Sequence, residues 1–287
     1  MKQHLLAAVL FAAAVGPAAA YTSYIKPDQF WPTNNDVEVE GSFATQFFAP
    51  QIALGSDVAV LDPNGAAVDP SRLEVTPVST VLEAELAAPG TYRISSGEVL
   101  GQVATLVGEN GTWRALGAGE IPPEGAEVTT LQTVTLADAY VTRGAVSRNV
   151  VDAPTGRLAI RPVTHPNQVL TASGFEIEVL FDGAPMPNTA VVLYSAGDPE
   201  TKLDRYVVTD ADGRALFTLD GPGQYIVAAR HRAAAPAGAE AAVRSYTTTV
   251  TFEAYDTQPV IQEEAPPQTE RRRTREPARR RVGRPDY

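Results

Sequence analysis

The sequence contains no cysteine. Disulfides, thiolate metal sites, cysteine nucleophiles and the lipidated cysteine of a bacterial lipoprotein are therefore excluded. The folded protein must be held together by core packing alone. Its 287 residues are long for one sandwich and sufficient for two domains of ordinary size.

Histidine is also scarce, because only His165 and His231 follow the first twenty residues. The chain has no Gly-x-Ser-x-Gly, His-Glu-x-x-His or phosphate-loop pattern. A catalytic site needs a nucleophile, an acid–base pair or a metal, and no such constellation is visible. We therefore expect a protein without enzyme activity.

His165 is the candidate ligand for a divalent transition metal, since it lies in the segment Thr-His-Pro-Asn just after a predicted strand. The alternative is a loop histidine that bonds to nearby backbone. His231 lies between two arginines, whose positive charge disfavours a metal ion. Asp210 to Gly213 resembles the start of a calcium loop but lacks its closing Glu, and a tight hairpin turn explains it.

Long apolar runs are absent except at the N-terminus. Lys2 precedes an apolar run from Leu5 to Val15, and small residues from Ala18 to Ala20 follow. This layout is typical of a cleavable secretory signal, and the run is too short to span a bilayer. We expect residues 1–20 to be removed, leaving Tyr21 at the N-terminus of a periplasmic protein without a membrane span.

Charge is distributed unevenly along the chain. Glu270 to Tyr287 holds eight Arg and three acidic residues, whereas Tyr21 to Thr269 carries a net charge of about −17. An acidic body argues against nucleic-acid binding. Residues 257–287 are predicted to be a disordered tail, rich in Pro and Arg. The cluster of Arg271, Arg272 and Arg273 could contact an anionic envelope surface, or the tail could simply be solvated.

Short segments of alternating polarity predict an all-β protein with two immunoglobulin-like β-sandwich domains, at residues 21–152 and 153–256. The second domain contains seven predicted strands, the number in a constant-type sandwich. They run from Gly156 to Pro162, Phe175 to Phe181, Ala190 to Tyr194, Arg205 to Thr209, Arg214 to Leu219, Tyr225 to Arg230 and Tyr246 to Phe252. The last strand of the first domain is placed at Gln132 to Val141.

A short internal repeat supports two copies of this fold. Pro89-Gly90-Thr91-Tyr92 recurs as Pro222-Gly223-Gln224-Tyr225, each time after an alternating strand. Immunoglobulin-like sandwiches use a Tyr near the start of a late strand to fix a corner through its hydroxyl. We expect Tyr92 and Tyr225 to make this contact.

Aromatic residues are concentrated between Tyr21 and Phe48. Tyr24, Trp31, Phe47 and Phe48 are candidates for an aromatic surface that binds a ligand or partner. Core and inter-sheet packing is the alternative for the same residues.

Several segments together resemble domain-of-unknown-function family 4198. They include residues 156–162, the His-Pro-Asn segment at 165–167, residues 180–185, the Asp-x-Asp-Gly turn at 210–213 and residues 221–225, with Tyr24 to Pro27 similar to the family's opening. The resemblance spans about Tyr21 to Tyr255. It implies a secreted, non-catalytic protein that assists nickel or cobalt uptake, often beside an outer-membrane receptor. This chain has Tyr21-Thr22-Ser23 where family members commonly carry a histidine.

Two functions are compatible with these observations. The first is a periplasmic accessory or binding protein that assists uptake of a transition metal or metal complex, with an outer-membrane receptor or an inner-membrane transporter as its partner. The second is a structural or adhesive module that binds an envelope protein or glycan.

Overall fold

The computed structural model describes residues 21–109 and 111–259. The expected signal peptide and the Arg-rich tail with Arg271, Arg272 and Arg273 lie outside the described residues. None of the helices within those residues is long and apolar enough to cross a membrane.

The first half of the chain contributes eleven of the described strands. They are β1 Thr22–Pro27, β2 Asp36–Ala44, β3 Ile52–Ala53, β4 Ala59–Leu61, β5 Ala67–Val68, β6 Arg72–Val75, β7 Thr80–Glu85, β8 Gly90–Ser95, β9 Val99–Glu109, β10 Thr112–Ala115 and β11 Val128–Arg143.

One helical turn, α1 Asn149–Asp152, precedes the second half. Its strands are β12 Leu158–Pro162, β13 Val169–Leu170, β14 Phe175–Phe181, β15 Ala184–Pro185, β16 Ala190–Ser195, β17 Tyr206–Val208, β18 Arg214–Phe217, β19 Gly223–Ala234 and β20 Val243–Tyr255. The all-β prediction is confirmed, and each of the seven predicted strands has a counterpart. β19 and β20 are longer than predicted because their ends continue beyond the apolar residues.

The sheets form three layers. An outer sheet holds β1, β2, β3, β7 and β6, and a second outer sheet holds β12, β14, β15 and β18. Between them lies one central sheet in the order β17-β16-β19-β20-β11-β8-β4-β5, with β9, β10 and β13 attached to it. Both halves of the chain therefore contribute to a single continuous sheet.

The junction of the two halves within this sheet is a parallel pair. Residues Leu131 to Ala139 of β11 align with Val243 to Thr251 of β20. The sequence pattern predicts where these strands lie, but a pairing between strands more than a hundred residues apart carries no local signal. The division at residue 152 remains a prediction, since the halves share a sheet yet pack separate cores.

Those cores lie on opposite faces of the central sheet. One core packs β11 and β8 against the first outer sheet, through residues such as Val39, Leu82 and Ile94. The other packs β16, β19 and β20 against the second outer sheet, through residues such as Phe175, Val227 and Phe252. Each strand of the central sheet alternates its side chains between the two faces.

The Thr run of β20 bonds to both outer layers. Thr248 Oγ1 donates to the carbonyl of Leu158 in β12 at 2.6 Å, and Thr249 Oγ1 donates to the carbonyl of Ser23 in β1 at 2.8 Å. Neighbouring strand residues point to opposite faces, so consecutive threonines can reach opposite layers. These buried hydroxyls have hydrogen-bond partners and lock the three layers in register.

The two predicted corner tyrosines behave alike. The hydroxyl of Tyr92 donates to the carbonyl of Ala88, and that of Tyr225 donates to the carbonyl of Gly221, each at 2.8 Å. Gly90 and Gly223 adopt φ values of 138° and 142°, a conformation that favours glycine. The repeated sequence therefore builds the same corner twice, as predicted.

Removing the Tyr92 hydroxyl should destabilise the protein more than removing the Tyr225 hydroxyl. Tyr92 Oη also accepts a hydrogen bond from the backbone N–H of Ala88, which Tyr92→Phe would leave without its partner. We expect a loss of about 1–3 kcal/mol in the free energy of unfolding for Tyr92→Phe and about 1 kcal/mol for Tyr225→Phe. Urea denaturation measures both. Tyr206→Phe, at an exposed hydroxyl, is the control, and an equal loss in all three variants would contradict the corner assignment.

Candidate partner-binding site

The N-terminal aromatics lie where the first outer sheet meets the second half of the chain. Tyr24 and Phe47 pack against Val192, Tyr194 and Ile226 in a third apolar cluster. The rings of Phe47 and Tyr194 are 4.6 Å apart between centroids. This cluster covers one end of the face that β16 and β19 present to the first outer sheet.

The prediction of an aromatic partner surface must therefore be corrected for two of its members. Tyr24 and Phe47 are 0% and 2% exposed, because they fill the contact between the two halves. Trp31 and Phe48 are half-buried. Trp31 donates its indole N–H to the carbonyl of Asn167, and Phe48 meets Tyr24 edge-on. Packing, the alternative, accounts for Tyr24 and Phe47.

A polar network marks the limit of this covered region. The Thr22 hydroxyl donates to the buried Glu200 carboxylate at 2.9 Å, and Arg230 reaches the same carboxylate at 3.5 Å. Arg230 also donates to the hydroxyl of Tyr194 at 3.2 Å. The guanidinium thus sits at the boundary between the two halves, with part of its surface open to solvent.

Beyond Arg230 no layer of the described residues covers this face of the central sheet, and an open groove of about 410 Å³ lies there. Its floor consists of small and apolar side chains, and Arg230 forms one wall. Residues along it include Thr189, Ala190, Val192, Leu203 and Ala228. The apolar floor continues to β17, where Tyr206 and Val208 are 58% and 49% exposed. Exposed apolar side chains beside a concave surface are typical of an interaction site.

β17 is also an edge of the central sheet, and among the described strands it pairs with β16 alone. Leu193 N–H donates to the Arg205 carbonyl, and Thr209 N–H donates to the Thr189 carbonyl. In an antiparallel ladder the alternate residues then point their backbone groups away from the partner strand. The N–H and C=O groups of Tyr206 and Val208 consequently face outward, next to the groove.

The metal candidate His165 lies elsewhere, in a buried junction between the halves. Its Nδ1 accepts a hydrogen bond from the backbone N–H of Asn167 at 3.2 Å. Its Nε2 lies 3.1 Å from both the Ser147 carbonyl and the Thr91 hydroxyl. These contacts fit a neutral ring protonated at Nε2. Both ring nitrogens are engaged, so a metal ion would have to displace one of these hydrogen bonds.

Burial lowers the pKa of His165, and the nearby positive charge of Arg148 acts in the same direction. The pKa of His231 is also lowered by burial, and its ring packs edge-on against Phe181 at 4.6 Å. Within residues 21–109 and 111–259, no group of three or more His, Asp or Glu side chains is arranged to hold a metal ion.

Asn167 extends the junction to the rest of the molecule. Its amide donates to the carbonyls of Phe30 and Tyr140 and accepts from the Thr142 hydroxyl. Thr142 in turn pairs with Thr91 at 2.9 Å. The His-Pro-Asn segment therefore ties the second half to β8, β11 and the Phe30 loop. The sequence marked this segment as distinctive, but the threonines that complete the network carried no signal.

A second buried pair lies on the same face of β8 and β11. Arg93 donates to the carbonyls of Val150 and Ala153, which fastens the segment joining the halves. Burial raises the pKa of Asp138 to about 6, and the neighbouring Arg93 opposes that rise. One oxygen of Asp138 and Nε of Arg93 have no hydrogen-bond partner among the described residues. Neither residue was singled out by the sequence.

Asp210 to Gly213 forms a tight turn, as expected, but the turn is not a hairpin, because it connects β17 of the central sheet to β18 of the second outer sheet. The carboxylate of Asp210 accepts hydrogen bonds from the backbone N–H groups of Asp212 and Arg214, each at 2.9 Å. Gly213 has a φ of 75°, as this turn requires.

The model of the family "Domain of unknown function (DUF4198)" matches residues 18–233 of the chain. The chain belongs to this family. The expected resemblance is confirmed, although the family description states no activity. The comparison with curated proteins gave no match.

Several solved structures show a distant likeness to the chain. The "D0-D1 domain of Intimin" is 12% identical, with a TM-score of 0.21 over 80% of this chain and 96% of that one. A tetra-tandem repeat of a large adhesion protein is 12% identical, with a TM-score of 0.22 over 83% of this chain and 75% of that one. The N-terminal part of the bacterial S-layer protein SbsC is 13% identical, with a TM-score of 0.19 over 83% of this chain and 45% of that one. TM-scores this low carry no argument about function.

Replacing His165 with Gln should weaken the protein most at neutral pH. The variant loses buried hydrogen bonds, so we expect a cost of about 1–3 kcal/mol at pH 7.5. Because the folded-state pKa of His165 is lowered, wild-type stability is fully present above the unfolded-state pKa and decreases as the pH falls through it. The variant lacks this pH-dependent contribution of His165. The difference in the free energy of unfolding between wild type and variant should therefore be smaller at pH 5.5 than at pH 7.5.

Urea denaturation at several pH values measures the gap. Thr248→Val is the matched control, because it removes a buried hydrogen bond outside the junction without removing a titratable group, so its stability difference from wild type should not change with pH. Asp138 has a raised pKa, so its own contribution to stability increases as the pH falls. Wild type and variants share this contribution, which therefore cancels when their free energies of unfolding are subtracted. A gap that stays constant from pH 7.5 to 5.5 would contradict a neutral buried His165.

Proposed function

We propose that this protein is a non-catalytic, periplasmic accessory protein that acts by binding another polypeptide of the cell envelope. The single observation that carries the proposal is the uncovered sheet face beyond Arg230, where a groove adjoins exposed apolar side chains and a free strand edge. A groove on a rigid sandwich suits recognition of a partner.

The scaffold supports this role. Three bonded layers and two corner tyrosines hold the groove walls in place, so little order has to be gained on binding. The second half of the chain lines the groove, and Thr22 of β1 holds Arg230 in place as one of its walls. The expected export signal supports a periplasmic location.

The finer role is assistance in uptake of a transition metal or metal complex, which the family resemblance implies. In that role the partner would be an outer-membrane receptor or an inner-membrane transporter. A direct contact between the Arg-rich tail and an anionic envelope surface would add avidity to such binding. The rival role is a structural or adhesive module that binds an envelope protein or glycan.

Filling the groove should abolish partner capture. Ala190 is exposed on the groove floor, so Ala190→Trp should block the groove without disturbing the core. Ala115→Trp, at an exposed position on β10, is the matched control. Immobilised protein is incubated with solubilised envelope from the native host, and retained proteins are identified by mass spectrometry.

We expect one protein to be retained by wild type and Ala115→Trp and to be reduced at least about tenfold by Ala190→Trp. Retention by all three proteins would remove the groove from the proposal. Loss in both variants would show an effect of folding and not of the groove.

The uptake role makes a separate prediction for cells. A deletion strain should grow poorly when nickel, cobalt or iron is limiting, and wild type but not Ala190→Trp should restore growth. Isothermal titration of the purified protein with Ni²⁺, Co²⁺ and Fe³⁺ tests whether it also binds metal itself, with His165→Gln as the variant. Normal growth of the deletion strain would remove the uptake role and leave partner binding intact.

A further inference from the structure

We infer that the partner contributes an extended, acidic segment that adds to β17 as a new strand of the central sheet. The inference rests on the proposed function and specifies the partner's chemistry. It depends on three features of the described residues: the direction of free backbone groups, the side chains beside them and the local charge.

The backbone groups of Tyr206 and Val208 face outward, because Arg205, Val207 and Thr209 supply the hydrogen bonds to β16. Two N–H groups and two C=O groups are thus presented in a row at the edge of an eight-strand path. A peptide in extended conformation satisfies such a row through main-chain hydrogen bonds. A helix or a compact surface loop would not.

The side chains next to this edge suit alternate residues of such a peptide. Tyr206 and Val208 lie on the groove side of β17, opposite Val192 and Ala190 of β16. Side chains of an added strand that point to this face would meet Tyr206 and Val208 and the groove behind them. Apolar residues at alternate positions would therefore be favoured.

The charge of this face selects an acidic segment. On β16, β17 and β19, the described side chains on the groove side include Arg230 and Arg232 and no carboxylate. Because Glu200 pairs with Arg230, the attraction for an acidic segment rests mainly on the exposed Arg232. This contrasts with the net negative charge of the body as a whole. An acidic segment would be attracted and oriented here. The Arg-rich tail of the same chain has the wrong sign.

Val208→Pro is the decisive variant. Its N–H points outward, so proline removes a donor to the partner without removing a bond to β16. Val75→Pro on β6 is the matched control. Thr76 N–H donates to the Ser79 carbonyl, so the N–H of the preceding residue, Val75, points away from β7 at another free sheet edge. Circular dichroism and urea denaturation establish that both variants are folded.

The probe is a library of random twelve-residue peptides displayed on phage and selected on the full mature chain. We expect enriched peptides to alternate apolar residues with Asp or Glu and to slow amide exchange at Tyr206 and Val208. Their affinity should decrease at least about tenfold in Val208→Pro and remain unchanged in Val75→Pro. Arg232→Glu should weaken binding, most strongly at low salt.

Several outcomes would overturn the inference. They are the absence of any enriched peptide, peptides that bind Val208→Pro as well as wild type, and enrichment of basic peptides. Light scattering tests whether the protein self-associates. If wild type is a dimer and Val208→Pro is a monomer, the edge of β17 binds a second copy of the chain and the inference is wrong. If Ala190→Trp abolishes envelope capture while Val208→Pro does not, the proposed function stands and strand addition is wrong.

Discussion

The parallel pairing of β11 with β20 is the constraint on which the rest of the structure depends. It merges the halves of the chain into one sheet along Leu131 to Ala139, so the two cores lie on opposite faces of shared strands. Parallel pairs need long connections, and here the connection is the whole second half of the chain. A relative shift of the halves would break this ladder and the hydrogen bond from Thr249 to Ser23 with it.

The same pairing explains where polar groups are buried. On β8 and β11, the face turned away from the first core carries Thr91, Arg93, Asp138 and Thr142. The segment between the halves and the His-Pro-Asn motif cover these groups, and most of them find partners there. The His-Pro-Asn segment is thus part of the junction, and His165 has a hydrogen-bonding role that packing alone would not supply.

The open groove follows from a mismatch in size between layers. The first outer sheet covers β8, β11 and one end of β16 and β19, and the network of Thr22, Glu200 and Arg230 marks where that cover ends. The remaining face of the central sheet and the edge strand β17 have no layer above them among the described residues. The proposed recognition surface is therefore a part of the sandwich that the described residues leave unpaired.

Local patterns by themselves determined the strands, the absence of long helices among the described residues and the two tyrosine corners, because alternation and Pro-Gly turns act over a few residues. Family membership could likewise be anticipated from short motifs. The tertiary structure decided the sharing of one sheet, the burial of Tyr24 and Phe47, and the exposure of Tyr206 and Val208. Aromatic content alone cannot distinguish core from surface, because that depends on which residues distant in sequence cover each side chain. Only the folded arrangement could place Thr91, Thr142 and Asn167 around His165.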